Sequence, residues 1–383
     1  MRSRDELMNR VIMTIAVVGP FLGLLLGVYF AWQRYLFVSD IVLFAVMTLV
    51  LAMGVTVGYH RMLTHQGFKT YEWIRGIFLA LGCMALVGSK PDEWAATHTR
   101  HHAMSDEEGD PHSPLEGFWH AHMGWLFSLK NYSYAEEFAP GLLQDRTVMF
   151  VSRWSLLWTV LPFIIPFVLG GWTGLLWGGV VRLFWTEHVT WSVNSICHTF
   201  GKRAFETSDE SRNEWVIGLL AFGEGWHNNH HAFPRSAFHG LRWWQFDLSG
   251  LLIRGLEMTG LVWEVQRVSL DTEQAQRTRM QAMRSGMSDL RQSILTSLGS
   301  MRNDLAAYGS NMMPEYALAD EQWVQWESFH SQAVARLDAM RESIAHSAYV
   351  KRQKLLQCQR EAQRMVEECK TRWEQMCRKP VAA

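Results

Sequence analysis

Long apolar runs alternate with polar stretches over the first two thirds of the chain. Residues 11–32 and 41–59 form two such runs, and about 20 apolar residues in a helix suffice to cross a bilayer. Residues 154–170 and 172–189 form two more, separated only by Gly170-Gly171, and predict a tight hairpin. The pattern therefore predicts an all-α integral membrane fold with four transmembrane helices.

Residues 74–88 are also apolar, but the run is shorter and has charged flanks. This length favours a helix that lies at the membrane interface. Lys and Arg flank the predicted spans mostly on one side, whereas the short links on the other side hold only Arg34. The positive-inside rule then predicts a multi-pass protein whose termini and polar loops, with the active site they carry, are cytoplasmic.

The pattern changes near residue 269, so we predict a membrane domain over residues 1–268 and a polar helical tail over 269–383. In the tail, apolar side chains recur at steps of three and four from Leu290 to Leu305, and again from Glu321 to about Arg378. We expect a helical hairpin with coiled-coil-like contacts. Self-association through this tail and a docking site for an electron donor both stay open.

The balance of charge excludes few functions. The net charge is −1, which gives no argument for a nucleic acid partner. The five cysteines are odd in number and form no C-x-x-C pair, so we expect reduced thiols rather than a disulfide framework.

Histidine is the unusual component, with 16 residues, and three clusters decide the interpretation. In the second and third clusters the spacing i, i+3, i+4 places three imidazoles on one helix face. In the first cluster the spacing is five, so His65 joins the same site as His60 only if the helix ends or bends near Leu63. The clusters are His60-Arg-Met-Leu-Thr-His65, His98-Thr-Arg-His101-His102 and His227-Asn-Asn-His230-His231.

A fourth element follows the last predicted span. In Asn194-Ser-Ile-Cys-His198 the spacing of four places both ends on one helix face, so His198 is a candidate ninth ligand. Asn194 could reach a metal directly or through water. Nine imidazoles fit two metal ions with open positions, and the absence of Cys ligands favours redox iron over structural zinc.

The remaining histidines are expected to have supporting roles. We predict hydrogen bonding around the site for His112, His120, His122 and His239, and a structural role for His188. His330 and His346 of the tail are expected to be solvated.

Together these clusters resemble the membrane fatty-acid desaturases, in particular the acyl-CoA branch of the stearoyl delta-9 type. The resemblance covers about residues 5–268. The second histidine cluster, or box, of the family usually has Arg directly after its first His, whereas this chain has Thr99 there. The supporting strings are Gly58-Tyr59-His60-Arg61, Glu93-Trp94, Gly109-Asp110-Pro111-His112, Gly117-Phe118, His122-Met-Gly-Trp125 and Gly223-Glu224-Gly225-Trp226-His227-Asn228.

The resemblance implies four spans below a cytosolic helical cap that holds two iron ions, a bent acyl tunnel, and O2 as co-substrate. It also implies membrane lipids as surroundings and an acyl-CoA or acyl-lipid substrate. Electrons would come singly from a separate donor, a ferredoxin or a small cytochrome with its reductase. Carried over by position, the iron ligands are His60, His65, His98, His101, His102, His198, His227, His230 and His231, with Asn194 nearby through water.

The resemblance implies insertion of a cis double bond, at delta-9, into a saturated acyl chain. An unactivated methylene C–H bond is too strong for acid–base chemistry, which explains why a metal and O2 are required. Two rivals stay open: a di-iron hydroxylase or ketolase acting on a hydrocarbon or terpenoid, and a membrane metal-binding scaffold without catalysis.

The substrate tunnel has candidate wall residues on either side of the clusters. Trp94, Trp119 and Trp125 lie close to the boxes in sequence, with a membrane-interface belt as the alternative role. Stepping back by fours from His60 along the second span leads through Thr48 to Phe44. We expect Phe44 and Thr48 to limit the acyl chain length, unless Phe44 merely faces lipid.

Overall fold

The structure, a computed structural model, describes residues 2–87, 90–311, 320–346 and 352–378. Their regular secondary structure is almost entirely helical, as expected. The described part contains one short antiparallel ribbon, in which Lys69 pairs with Trp263 and Thr70 with Val262. The chain divides into two compact units, residues 1–277 and 278–383.

The first unit contains twelve α-helices, two π-helices and two short strands among the described residues. In chain order they are α1 (Arg2–Trp32), α2 (Val38–Met53), a π-helix (Gly54–Thr64), β1 (Lys69–Thr70), α3 (Glu72–Ala85), α4 (Pro91–Met104), α5 (Phe118–His122), α6 (Ala135–Phe138), α7 (Arg146–Arg153), α8 (Ser155–Gly174), a second π-helix (Leu175–Val181), α9 (Arg182–Ser195), α10 (Trp215–Leu220), α11 (His227–Ala232), α12 (Leu248–Met258) and β2 (Val262–Trp263). Short 3-10 helices lie at Pro114–Glu116, Gly124–Phe127, Leu129–Asn131 and Pro140–Gln144.

Three helical stretches of the described chain are long and apolar enough to cross a membrane: Arg4–Trp32, Val38–Thr64 and Ser155–Ser195. The third stretch is not straight. Gly171 has φ 61 and ψ −148, a conformation that side chains with a Cβ rarely adopt. The two halves fold against each other after this turn, since a Cβ on Gly174 or Gly178 would meet Pro166.

The predicted interfacial helix is α3, and it ends three residues earlier than expected. Leu86 takes a left-handed conformation, φ 65, and its N–H donates to the carbonyl of Cys83, which terminates the helix. One face of α3 packs on the π-helix through glycines, because a Cβ on Gly54 or Gly58 would clash with this neighbour. The opposite face leaves Trp73 and Ile77 exposed.

The second unit has its own apolar core. It is built from α13 (Leu270–Asn311), which begins at the end of the first unit, α14 (Asp320–His346) and α15 (Arg352–Arg378). From α13 the core takes Ile294, Leu298 and Leu305, which belong to the predicted apolar row.

The prediction of a single long helix from residue 321 to about 378 was wrong, since the structure divides this segment into α14 and α15. The cause is a shared core: Trp326, Leu337 and Ile344 of α14 pack in the same cluster as Leu355 and Trp373 of α15. One straight helix cannot bring both halves onto one core. The sequence also predicts a helix break at residues 308–314. Residues 308–311 still belong to α13, and residues 312–314 lie outside the described residues.

Candidate metal centre

The first histidine pair lies at the end of a π-helix. The N–H of His65 donates to the carbonyl of His60, five residues earlier, at 3.1 Å. This wider turn brings residues five apart onto one face, and the two ring centroids are 4.9 Å apart. His65 therefore joins His60 because the helix widens before it ends at Thr64, which the expected α-helical period did not predict.

The other clusters lie on two helices and one helix end. α4 begins with Pro91, followed by Asp92 and Glu93 in the first turn, and presents its histidines in the second half. α11 is only six residues long, and Trp226 before it donates from Nε1 to the carbonyl of Phe246 at 2.7 Å. His198 follows the end of α9.

The nine predicted histidines come together in two sets that could each hold a metal ion, with ligand atoms within 4.8 Å of one another. The second and third boxes contribute to both sets, because neighbouring positions on one helix point to neighbouring sites. The first set is His60, His65, His98, His102 and His230. The second set is His101, His198, His227 and His231.

Within each set the Nε2 atoms converge at nearly uniform distances. In the first set, His102 Nε2 lies 3.1 Å from that of His98 and 2.9 Å from that of His230. In the second set, His227 Nε2 lies 3.0 Å from that of His198 and 3.1 Å from that of His231. Unprotonated nitrogens this close repel one another unless a cation lies between them, so the geometry fits a metal ion.

Four buried carboxylates hold the opposite ring nitrogens. Three of the distances to Nδ1 are 3.0 Å for Asp110 on His101, 2.9 Å for Asp106 on His198 and 2.7 Å for Asp209 on His231. The fourth pair is Glu224 with His60. A carboxylate at Nδ1 keeps the proton there and leaves Nε2 free to bind a metal.

The electrostatics of the sets keep most rings neutral. Burial, reinforced by the neighbouring imidazoles, lowers the pKa of His98 and His230 well below their ordinary value. Burial also lowers the pKa of His198, but the charge of Asp106 outweighs it and raises the pKa. Burial raises the pKa of Asp209, yet the interaction with His231 more than reverses this and lowers the pKa strongly. Neutral rings are the form that binds metal.

Arg61 links three segments around the first set. Its guanidinium is fully buried and donates to Glu224 at 2.9 Å and to Asp247 at 3.0 Å. It also donates to the carbonyl of Ala237 at 3.0 Å. One cation thus orients the carboxylate that holds His60. The sequence strings contained Glu224 and Arg61, but only the contacts show this role.

A narrow inner cavity borders both sets. His60, His98 and His227 lie in its wall, together with Asn194. Moving away from the histidines, the wall continues through Thr56, Ala52 and Thr48 of the second apolar helix to Trp185. The row predicted by steps of four from His60 therefore borders one cavity as far as Thr48. Phe44 is not in the wall, and its ring packs edge-on against Trp185 at 6.2 Å.

An outer cavity adjoins the inner one at the histidines. Trp94, His98, Thr190 and Asn194 border both cavities. The outer wall also contains residues of α1 and of the loop after α5: Asn9, Met13, Ala16, Val17, Trp125, Leu126, Ser128, Asn131 and Tyr132. Trp94 borders both cavities and Trp125 borders the outer one. Trp119 borders neither cavity and is 66% exposed.

The remaining histidines are placed as follows. His239 is fully buried, with its ring 5.1 Å from that of His60, and His112 lies 4.4 Å from His101. His122 lies 3.0 Å from both His188 and Ser195. His330 was expected in solvent but is half-buried, and its Nε2 lies 2.7 Å from the carbonyl of Leu305. His120 lies near Glu116, and the side chain of His346 lies outside the described residues.

Thr99, which stands where an Arg is usual, faces a different cavity. That cavity is polar and lies on the other side of α4, lined also by Lys69, Arg75 and Arg235. Thr99 is therefore not in the wall of the inner or the outer cavity.

Known proteins share the sequence around this site. The profile of the fatty acid desaturase family matches residues 39–249, which include all nine histidines. The acetylenase named "Hex-5-enoyl-[acyl-carrier protein] acetylenase" of Moorena producens (strain JHB) is 40% identical over 272 residues, 65% of this chain and 84% of that protein.

Two further relatives act, by name, on other acyl carriers. The sn-1 stearoyl-lipid 9-desaturase of Anabaena variabilis is 36% identical over 249 residues, 64% of this chain and 91% of that protein. The acyl-CoA 5-desaturase AL21 of Anemone leveillei is 40% identical over 256 residues, 66% of this chain and 78% of that protein.

The fold and the two histidine sets define a class of apolar, helical proteins with sites that could hold metal ions. The chain belongs to the fatty acid desaturase family, and it is an oxidoreductase that acts on fatty acyl chains.

Proposed function

We propose that this chain inserts a cis double bond at delta-9 into a saturated acyl chain carried on CoA or on a lipid, using O2. The observation that carries the proposal is that members of both histidine sets border the two adjoining cavities. His98 borders both cavities, and His60 and His227 border the inner one. An acyl chain lying through them would pass directly beside both sets.

Two iron ions are the metals that we propose for the sets. An imidazole nitrogen binds a first-row metal at about 2.1 Å, so right-angled ligands lie about 3.0 Å apart and tetrahedral ligands about 3.4 Å apart. The observed Nε2 distances of 2.9 to 3.1 Å match the right-angled case. When bound, the iron pair would supply O2 activation strong enough to break an unactivated methylene C–H bond.

Asn194 is proposed to complete the second set through water. The first set has five histidines and the second only four. Asn194 borders both cavities beside His98 and, in the inner cavity, His227. A water held by its amide would supply a further ligand to the second set.

The protein's own contribution to the reaction is positioning and exclusion of water. Trp94 and Asn194 lie at the junction of the two cavities and would hold two neighbouring methylenes beside the histidines. The surface that the inner cavity exposes is mainly apolar, which would keep water from the reacting carbons. Thr48, with Trp185 backed by Phe44, would close the far end.

We propose a separate donor for the two electrons, a ferredoxin or a small cytochrome with its reductase. The printed sequence has no His-Pro-Gly-Gly haem signature. Neither histidine set includes a cysteine among the described residues, so the site itself offers no iron–sulfur ligands.

The membrane arrangement is also a proposal. We propose four spans, α1, α2 with its π-helix, and the two halves of Ser155–Ser195 on either side of Gly171. The Lys and Arg distribution supports cytoplasmic termini and a cytoplasmic histidine cap. Residues 1–268 would form the desaturase domain, and the tail over 269–383 would allow self-association.

Fatty-acid profiling of cells that express the chain tests this function. The expected result is a new cis alkene at carbon 9 of C16 or C18 chains, absent with His101→Ala. Hydroxylated or ketone products with no alkene would refute the proposal and favour the hydroxylase class. Assays with acyl-CoA and acyl-lipid in parallel would identify the carrier.

A further inference from the structure

Three redox-active side chains lead away from the first histidine set. The indole of Trp94 stacks on the ring of His98, with centroids 5.0 Å apart and planes at 21°. Trp94 also contacts the ring of Tyr59, with centroids 5.6 Å apart. The Tyr59 hydroxyl donates to Sγ of Cys83 at 3.1 Å. The contacts form one continuous path from a proposed iron ligand to a thiol.

Substrate binding does not explain the half of this path that lies farther from the histidines. Trp94 borders both acyl cavities, but Tyr59 and Cys83 border neither. Tyr59 is 0% and Cys83 is 1% exposed. Contact with solvent therefore does not explain why a hydroxyl and a thiol occupy these positions. Trp, Tyr and Cys are the side chains that lose one electron most readily, and here they follow one another in contact.

We propose that Trp94, Tyr59 and Cys83 return electrons to the metal centre when O2 has reacted and no acyl chain is in place. The inference rests on the proposed function, because the oxidant is the iron centre after it reacts with O2. Trp94 loses the first electron, Tyr59 reduces Trp94, and Cys83 reduces Tyr59. The path thereby protects the histidines from oxidation.

The electron balance closes at Cys83. Reduction of O2 to two waters takes four electrons and four protons, of which the donor supplies two electrons and solvent supplies two protons. The acyl chain normally supplies the other two electrons and protons as it becomes an alkene. Without it, the Cys83 thiol and one water give the same two electrons and two protons, and the thiol becomes a sulfenic acid.

The test uses the full chain purified with its iron, reduced by its donor, and exposed to O2 with and without acyl substrate. A reagent that adds to sulfenic acids, followed by peptide mass spectrometry, locates the oxidised thiol. We expect Cys83 to be labelled without substrate and protected with it. Freeze-quenched samples without substrate should show a tyrosyl radical by electron paramagnetic resonance.

Two variants separate the path from simple packing. Tyr59→Phe keeps the ring and should lose both the radical and the Cys83 label, while desaturation with substrate continues. Cys83→Ser should retain the radical and prolong its lifetime, because the final reductant is gone. If Tyr59→Phe labels Cys83 as the parent does, electrons do not pass through Tyr59 and the proposal fails.

Cys197 is a control within the same chain. It is fully buried and adjoins His198 in sequence, yet its described neighbours are aliphatic residues such as Val193 and Ile217. Peroxide released from the metal centre should reach Cys197 no less readily than Cys83, because Cys197 adjoins His198. Equal labelling of the two thiols would therefore overturn the proposal. An alkene with substrate but no Cys83 label without it also overturns the path, and leaves the desaturase function standing.

Discussion

The N–H of His65 donates to the carbonyl of His60 at 3.1 Å, across five residues. This last turn of the π-helix Gly54–Thr64 decides that both imidazoles face the first histidine set. An α-helix would instead pair His60 with Thr64 and turn His65 away. The first box therefore depends on backbone geometry as much as on its two histidines.

Moving the second histidine by one position tests this widened turn. We expect the double variant Thr64→His, His65→Ala to lose metal from the first set, although the spacing of four suits an α-helix. The metal content of the purified protein, compared with that of His65→Ala alone, gives the measurement. Parent-like metal content in the double variant would show an α-helical box.

The two sets should each lose their own metal. His230→Ala removes a ligand from the first set and His101→Ala removes one from the second. We expect each variant to be inactive and to lose at least one of two irons, because the alanine side chain offers no metal ligand. Iron analysis and fatty-acid profiling measure this, and full activity in either variant refutes the ligand assignment.

Asp209 should tune metal affinity without touching the metal. Its carboxylate lies 2.7 Å from Nδ1 of His231 and fixes which ring nitrogen carries the proton. Asp209→Asn should weaken metal binding about 10- to 100-fold, measured by chelator competition. Asp92→Asn is the matched control, a buried carboxylate that instead accepts from the Ser152 hydroxyl at 2.5 Å. Equal losses in both would indicate general destabilisation.

Acyl chain length should respond most directly at Thr48. Thr48 borders the inner cavity and lies three steps of four residues before His60, and each step is about 6 Å of helix rise. Thr48→Tyr should shift products towards shorter chains because the ring fills the cavity end. Phe44→Ala should admit longer chains more weakly, since Phe44 acts only by supporting Trp185. Unchanged product profiles at equal expression would remove both residues from the tunnel end.

Turnover should require an added electron donor. Purified protein with substrate, O2 and a nicotinamide cofactor should form no alkene, because nothing in the printed sequence carries a haem or iron–sulfur signature. Addition of a reductase with a ferredoxin or a small cytochrome should start the reaction, followed by product analysis. Alkene formation with the nicotinamide cofactor alone contradicts this prediction.

The histidine spacing predicted much of the site but not its organisation. The nine ligand candidates came from three boxes and Asn194-Ser-Ile-Cys-His198, and the structure brings all nine into two sets. The division of the second and third boxes between the two sets could not be predicted, because it depends on how α4 and α11 are placed relative to each other. The carboxylates on Nδ1 were also missed, since Asp106 and Asp209 meet their histidines across about 92 and 22 residues of chain.

The sequence by itself determined the helical class, the apolar runs and the histidine chemistry, because hydrophobic length and i, i+3, i+4 spacing are local properties. Only the tertiary structure decided three other features. The π-helix places His65 through one backbone hydrogen bond, the core of the second unit divides its long helix into α14 and α15, and buried Arg61 joins Glu224 to Asp247. Each of these depends on contacts between segments far apart in the chain or on a backbone period that residue patterns do not report.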